Sequence, residues 1–136
     1  MAAVDPIRIR ANAERIREEI GPGCELLAAV KYLEDLDPLV EAGITLVGEN
    51  RAQVLEAKQA RWPQLRWHFI GQLQSRKVKT ILPLVELVHS VASDSALDAL
   101  GKAATPETQV LVQVNIARED GKAGIASCFG KSSVLP

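Results

Sequence analysis

Apolar and polar positions along this chain alternate between two spacings. Ile7, Ile9, Ala13, Ile16 and Ile20 recur at the three-to-four-residue interval of an amphipathic helix, which Gly21, Pro22 and Gly23 then stop. The next segment, "ELLAAVKY", has five apolar residues in a row, Leu26 to Val30, and reads as a strand buried on both faces that ends in Lys31. "DLDPLVEAG" reads as a short helix closed by Gly43, "ITLVGEN" as a strand and "AQVLEAKQARW" as a helix. The alternation continues with "RWHFIGQ" as strand, "RKVKTILP" as short helix, "LVELVHSVA" as strand, "DSALDALGKAA" as helix and "TQVLVQVNIA" as strand.

This is an N-terminal helix followed by about five strand units, each joined to the next by a helical crossover of the length a parallel sheet requires. The fold class is α/β. In such a sheet the loops that follow the strands gather at one rim, and chemistry collects there. Lys31, "GEN" (Gly48 to Asn50), "IGQ" (Ile70 to Gln72), "HSVAS" (His89 to Ser93) and "NIARE" (Asn115 to Glu119) all fall at strand ends.

Composition narrows the function classes. A chain of 136 residues, 47% hydrophobic and 24% charged, is long enough for one core, and one domain is the default. Its net charge of -1 and scattered basic residues give no electrostatic case for nucleic acid. The arginine-bearing amphipathic start has no signal-type apolar core and no stretch is long enough to span a membrane, so the expected compartment is the cytoplasm. Cys24 and Cys128 lie far apart without metal-ligand spacing and are expected to be free, inert thiols.

Several polar residues carry two readings each. Lys31 either snorkels, with its stem on apolar surface and its ammonium in water, or is held where a neutral amine can attack a carbonyl carbon. Glu49 suits a structural partner for a basic side chain better than a general base, and with Asn50 it could cap a helix beginning near Arg51. His68 alternates with Trp67 and Phe69, points to the opposite face and reads as a hydrogen-bonded core histidine; His89 has a weaker claim of the same kind. Arg76, Lys77 and Lys79 read as a solvated helix start, with a contact to an anion or another subunit as the alternative. Lys122 and Gly124 suit a simple turn. "GIASCFGKS" imitates a phosphate-binding loop, but Ile125 stands where that pattern needs glycine.

The segments "AVKY", "GEN", "WHFIGQLQSRK", "HSV" and "VQVNIAREDGKAGI" occur in an order and spacing that resemble the pyridoxal phosphate homeostasis protein family, from about Val4 to Ile125. That resemblance implies a barrel related to the N-terminal domain of alanine racemase. Residues 1–125 would then form the N-terminal part of a cofactor-binding (β/α)8 TIM-type barrel, and residues 126–136 a divergent, loop-like tail. It implies that Lys31 forms a Schiff base with pyridoxal 5'-phosphate (PLP), that the Asn50 amide sits near the cofactor ring, and that the protein carries and buffers the cofactor without strong catalysis of its own. Relatives commonly have an acidic residue where this chain has Ala92, so no role passes to that position.

A full barrel of this type takes about 250 residues, so the chain is expected to be a partial barrel. The family's late glycine- and serine-containing phosphate loops would be missing, cofactor binding would be impaired, and an open sheet edge would invite self-association. A PLP-dependent racemase-like enzyme and a non-binding fragment of the barrel are the alternative readings. Racemases of this fold take a tyrosine base from another domain. The only tyrosine here, Tyr32, is expected to point away from Lys31 if the strand continues.

Overall fold

The computed structural model describes residues 4–126. Helix α1, Pro6–Ile20, starts where the Asp5 carboxylate accepts from the Ile7 amide at 2.9 Å and a proline occupies the first turn, whose amide would be unpaired in any case. It ends at Gly21, whose φ of 74° is left-handed. The remaining elements are β1 (Ala28–Ala29), α2 (Asp37–Glu41), β2 (Leu46–Glu49), α3 (Ala52–Arg61), β3 (Arg66–Phe69), α4 (Val78–Ile81), β4 (Leu87–Val91), α5 (Asp94–Ala103), β5 (Gln109–Val112), β6 (Val114–Asn115) and β7 (Ile125–Ala126). Single 3-10 turns flank α4 at Ser75–Lys77 and Leu82–Leu84.

Strands β1 to β5 form one parallel sheet in chain order, with a helix in each crossover. This is an arc of a (β/α)8 barrel wall, and it does not close on itself among the described residues. Side-chain alternation divides the strands between two faces. Val47, Trp67, Phe69 and Val88 pack with Leu55, Ile81, Ala96 and Leu100 in the layer between sheet and helices, all of them buried. The other face carries Gly48, Arg66 and His68.

Two strands differ from the sequence-based expectation. The apolar run at Leu26–Val30 is not buried on both faces: Val30 is fully buried, Leu26 and Ala28 are half-buried, and Ala29 is exposed. β1 is an edge strand, and the described residues cover only its helix-facing side. The segment "TQVLVQVNIA" is not one strand. Gln113 still donates to the Val91 carbonyl at 2.8 Å, but the chain then leaves β4, and Val114 and Asn115 pair with Ile125 and Ala126 instead. Most of the expected tail, residues 127–136 with Cys128, lies outside the described residues; Cys24 is an exposed free thiol.

Candidate functional site

Lys31 stands at the C-terminal rim of the sheet, two residues beyond the last β1 register at Ala29. The Val30 amide donates to the Gly48 carbonyl at 2.9 Å, and the Leu33 amide then donates back to the Val30 carbonyl at 3.2 Å. The strand therefore turns at Lys31, and strand alternation does not extend to Tyr32. The condition for Tyr32 to point away is therefore not met, and Lys31 Nζ lies 4.9 Å from the centre of its exposed ring, a cation–π contact. Lys31 is half-buried and enters no salt bridge among the described residues.

Beneath this turn sits a buried ionic network centred on Glu49, the last residue of β2. One carboxylate oxygen, Oε2, lies 2.6 Å from Lys58 Nζ, while Oε1 accepts from the backbone amides of Asn50 at 2.9 Å and Arg51 at 2.8 Å. Glu49 has no exposed surface and Lys58 is 7% exposed. Lys58 Nζ also donates to the Val30 carbonyl at 2.8 Å, and Arg51 Nη2 donates to the Lys31 carbonyl at 2.7 Å. Both carbonyls that flank the turn are thus held by cations, and both cations converge on Glu49; Arg51 Nε is 3.7 Å from Oε1. Burying such charges is costly unless each is paired, and removing one partner of a buried pair typically costs about 3–5 kcal/mol.

The expectation that Glu49 partners a basic side chain holds, with Lys58 as the partner. Lys58 and Arg51 were not singled out from the sequence. A signal for Lys58 existed: it lies three residues after Leu55, on the face of α3 that packs inward.

Asn50 does not cap α3. The cap position belongs to Arg51, no side chain there makes a capping bond, and Glu49 takes the amides instead. The Asn50 side chain is left with a different property: its Oδ1, like Arg51 Nε, is buried without a hydrogen-bond partner among the described residues. Its backbone is pressed against the neighbouring loop, where a Cβ added to Gly71 would come within 2.1 Å of the Asn50 carbonyl oxygen. The Ser90 hydroxyl donates to the Gly71 carbonyl, so the ends of β2, β3 and β4 are tied together at the rim.

His68 and His89 pair with each other, His68 Nδ1 to His89 Nε2 at 2.9 Å, with ring centres 5.1 Å apart. His68 is buried, as the reading of a hydrogen-bonded core histidine requires, and burial followed by the proximity of His89 pushes its pKa down. Glu86 Oε2 is 3.7 Å from His68 Nε2 and also receives Arg66 Nε at 3.0 Å, while Arg66 Nη1 meets Glu25 at 2.6 Å. The hydrogen bond and charge of Arg66 hold the Glu25 carboxyl below its usual range. No hydrogen bond joins this cluster to Lys31 among the described residues.

Arg76 and Lys77 line a cavity of about 290 Å³ with Asn50, Gln53 and Gln72, whereas Lys79 is exposed away from it. Lys122 belongs to a turn, as expected, paired with Glu119.

No protein-family model matches the chain. Two curated proteins, both called pyridoxal phosphate homeostasis protein, match it. That of Corynebacterium glutamicum is 43% identical over 79 residues, covering 57% of this chain and 36% of its own. That of Aquifex aeolicus is 33% identical over 128 residues, covering 87% of this chain and 56% of its own. The solved structure of PipY from Synechococcus elongatus with PLP bound superposes with a TM-score of 0.72 at 30% identity, over 85% of this chain and 57% of that one. Over most of its length the chain is similar to the pyridoxal phosphate homeostasis protein family. PipY without PLP gives a TM-score of 0.71, so the family's barrel wall is matched in both of its solved states. The chain spans 36% and 56% of the lengths of these two curated relatives.

Proposed function

We propose that this chain binds pyridoxal 5'-phosphate through Lys31 and contributes to cofactor buffering in the cytoplasm. The observation that carries this reading is the placement of Lys31: a half-buried lysine without a carboxylate partner, in a turn at the C-terminal rim of a parallel sheet, its own carbonyl held by Arg51 at 2.7 Å. A PLP-bound family member with the same fold supports it. The residues present fit the cofactor, because a buried Asn50 Oδ1 without a donor is an acceptor waiting for a polar ligand group.

When bound, the cofactor supplies an aldehyde, an electrophile the protein itself lacks. Lys31 would supply the amine that condenses with that aldehyde, with loss of one water. Asn50 lies at the end of the adjacent strand and would accept a hydrogen bond from the ligand. Lys58 is already committed to the Val30 carbonyl and to Glu49, so it is not available to the ligand as a free cation.

The test is covalent capture. The chain is mixed with PLP, reduced with borohydride and mapped by peptide mass spectrometry. The adduct is expected on the Lys31 peptide and is expected to vanish with Lys31→Ala. An adduct spread over many lysines and unchanged by that substitution would remove the assignment.

A further inference from the structure

Lys58 is buried and charged and makes no contact with solvent-borne chemistry, yet its ammonium reaches across from α3 to the end of β1. A lysine serving only to neutralise Glu49 would need one bond; this one also donates to the Val30 carbonyl at 2.8 Å. Arg51 makes the matching contact one residue on, at the Lys31 carbonyl. The two backbone carbonyls that define the turn are therefore both fastened to a network whose anion, Glu49, is itself fixed by two backbone amides and has no exposed surface.

We propose that Arg51 and Lys58 are positioning residues for the reactive lysine. Through Glu49 they lock the β1 turn so that the Lys31 side chain leaves the rim in one direction. The inference rests on the reading of Lys31 given above and extends it to residues that never touch the ligand. The advantage is one of orientation: a reacting group held by a rigid backbone loses little further freedom on reaction.

Removing Lys58 alone would strand the Glu49 charge, so the informative variant replaces both groups. In Glu49→Gln with Lys58→Met, the amide oxygen still accepts from Asn50 and Arg51, the stem volume of residue 58 is kept, and the two buried charges are removed together, while Arg51, its side chain 39% exposed, keeps its bond to the Lys31 carbonyl. This variant is expected to fold, with a melting transition as sharp as that of the native chain. Its adduct formation at Lys31 with PLP should nevertheless be slower by about tenfold, the factor expected for losing one hydrogen bond from a charged donor. Selectivity for Lys31 over surface lysines should fall with it.

Cofactor-free amide hydrogen exchange gives a second readout. The Leu33 amide, which donates to the Val30 carbonyl, should lose protection in the double variant while the amides of β3 keep theirs. Arg51→Met, which leaves the Glu49–Lys58 pair intact, provides the same two measurements on an independent chain if the double variant does not fold.

A folded variant with a native Lys31 rate and native Leu33 protection overturns the proposal. If instead the native chain places its adduct elsewhere, the reading of Lys31 fails, and Leu33 protection still decides whether the network holds the turn.

Discussion

The Glu49 carboxylate and the Lys58 ammonium meet at 2.6 Å with almost no access to water, and the same ammonium holds the Val30 carbonyl at 2.8 Å. The pair joins β2 to α3 and β1 to both. Lys58→Met alone leaves the buried Glu49 carboxylate with only the more distant Arg51, 3.7 Å away, as counter-charge and should destabilise the chain by about 3–5 kcal/mol. Adding Glu49→Gln should restore most of that loss. Urea titration of the two variants checks the order; a single variant as stable as the double one would contradict the pairing.

Gly71 is needed where the β2 and β3 loops cross. A methyl there would sit within 2.1 Å of a backbone oxygen, which cannot move aside as a side-chain tip can. Gly71→Ala should therefore cost about 1–3 kcal/mol or more by overpacking. It should also separate Asn50 from its place at the rim. Urea denaturation measures the first effect, and loss of PLP adduct at Lys31 relative to the native chain reports the second.

The His68–His89 pair makes stability depend on pH. His68 has its pKa pushed below the ordinary value of 6.5, first by burial and then by His89. The unfolded chain therefore takes up a proton that the folded chain declines. The contribution is complete above the ordinary histidine pKa and is lost as pH falls below it. Melting temperature should drop between about pH 7.5 and pH 5.5, and His68→Gln should flatten that drop. Equal slopes in the two chains would assign the acid sensitivity elsewhere.

β5 pairs only with β4 among the described residues, and Leu111 and Val112 on it are 50% and 47% exposed. A parallel edge with apolar side chains is adhesive. Concentration-dependent association is expected in sedimentation velocity, and Leu111→Lys should reduce it. A monomer at all concentrations would show that the edge is protected.

The alternation of period in the sequence was enough to place all five strands of the sheet and the helices between them, because a two-sided α/β layer requires one apolar stripe per element. What local pattern could not register was where pairing stops. Leu26 to Val30 look buried on both faces because apolar side chains do not reveal that β1 lies at an edge. Gln113 lies within an otherwise continuous apolar strand, yet there the chain leaves β4 for β7. The rim positions of Lys31 and Asn50 and the structural use of Glu49 were readable from strand ends. Lys58 and Arg51 were not, since a lysine inside a charged helix and an arginine at its start look solvated until tertiary contacts bury one and turn the other inward. The expectation for Tyr32 held only if the strand continued, and β1 ends at Ala29, three residues before it.

The account depends most on Lys31 being the residue that meets the cofactor aldehyde. Borohydride trapping with PLP, followed by peptide mapping of the native chain and of Lys31→Ala, addresses that directly. The account predicts a single dominant modified peptide containing Lys31 and its loss in the variant; equal labelling of surface lysines in both chains would contradict it.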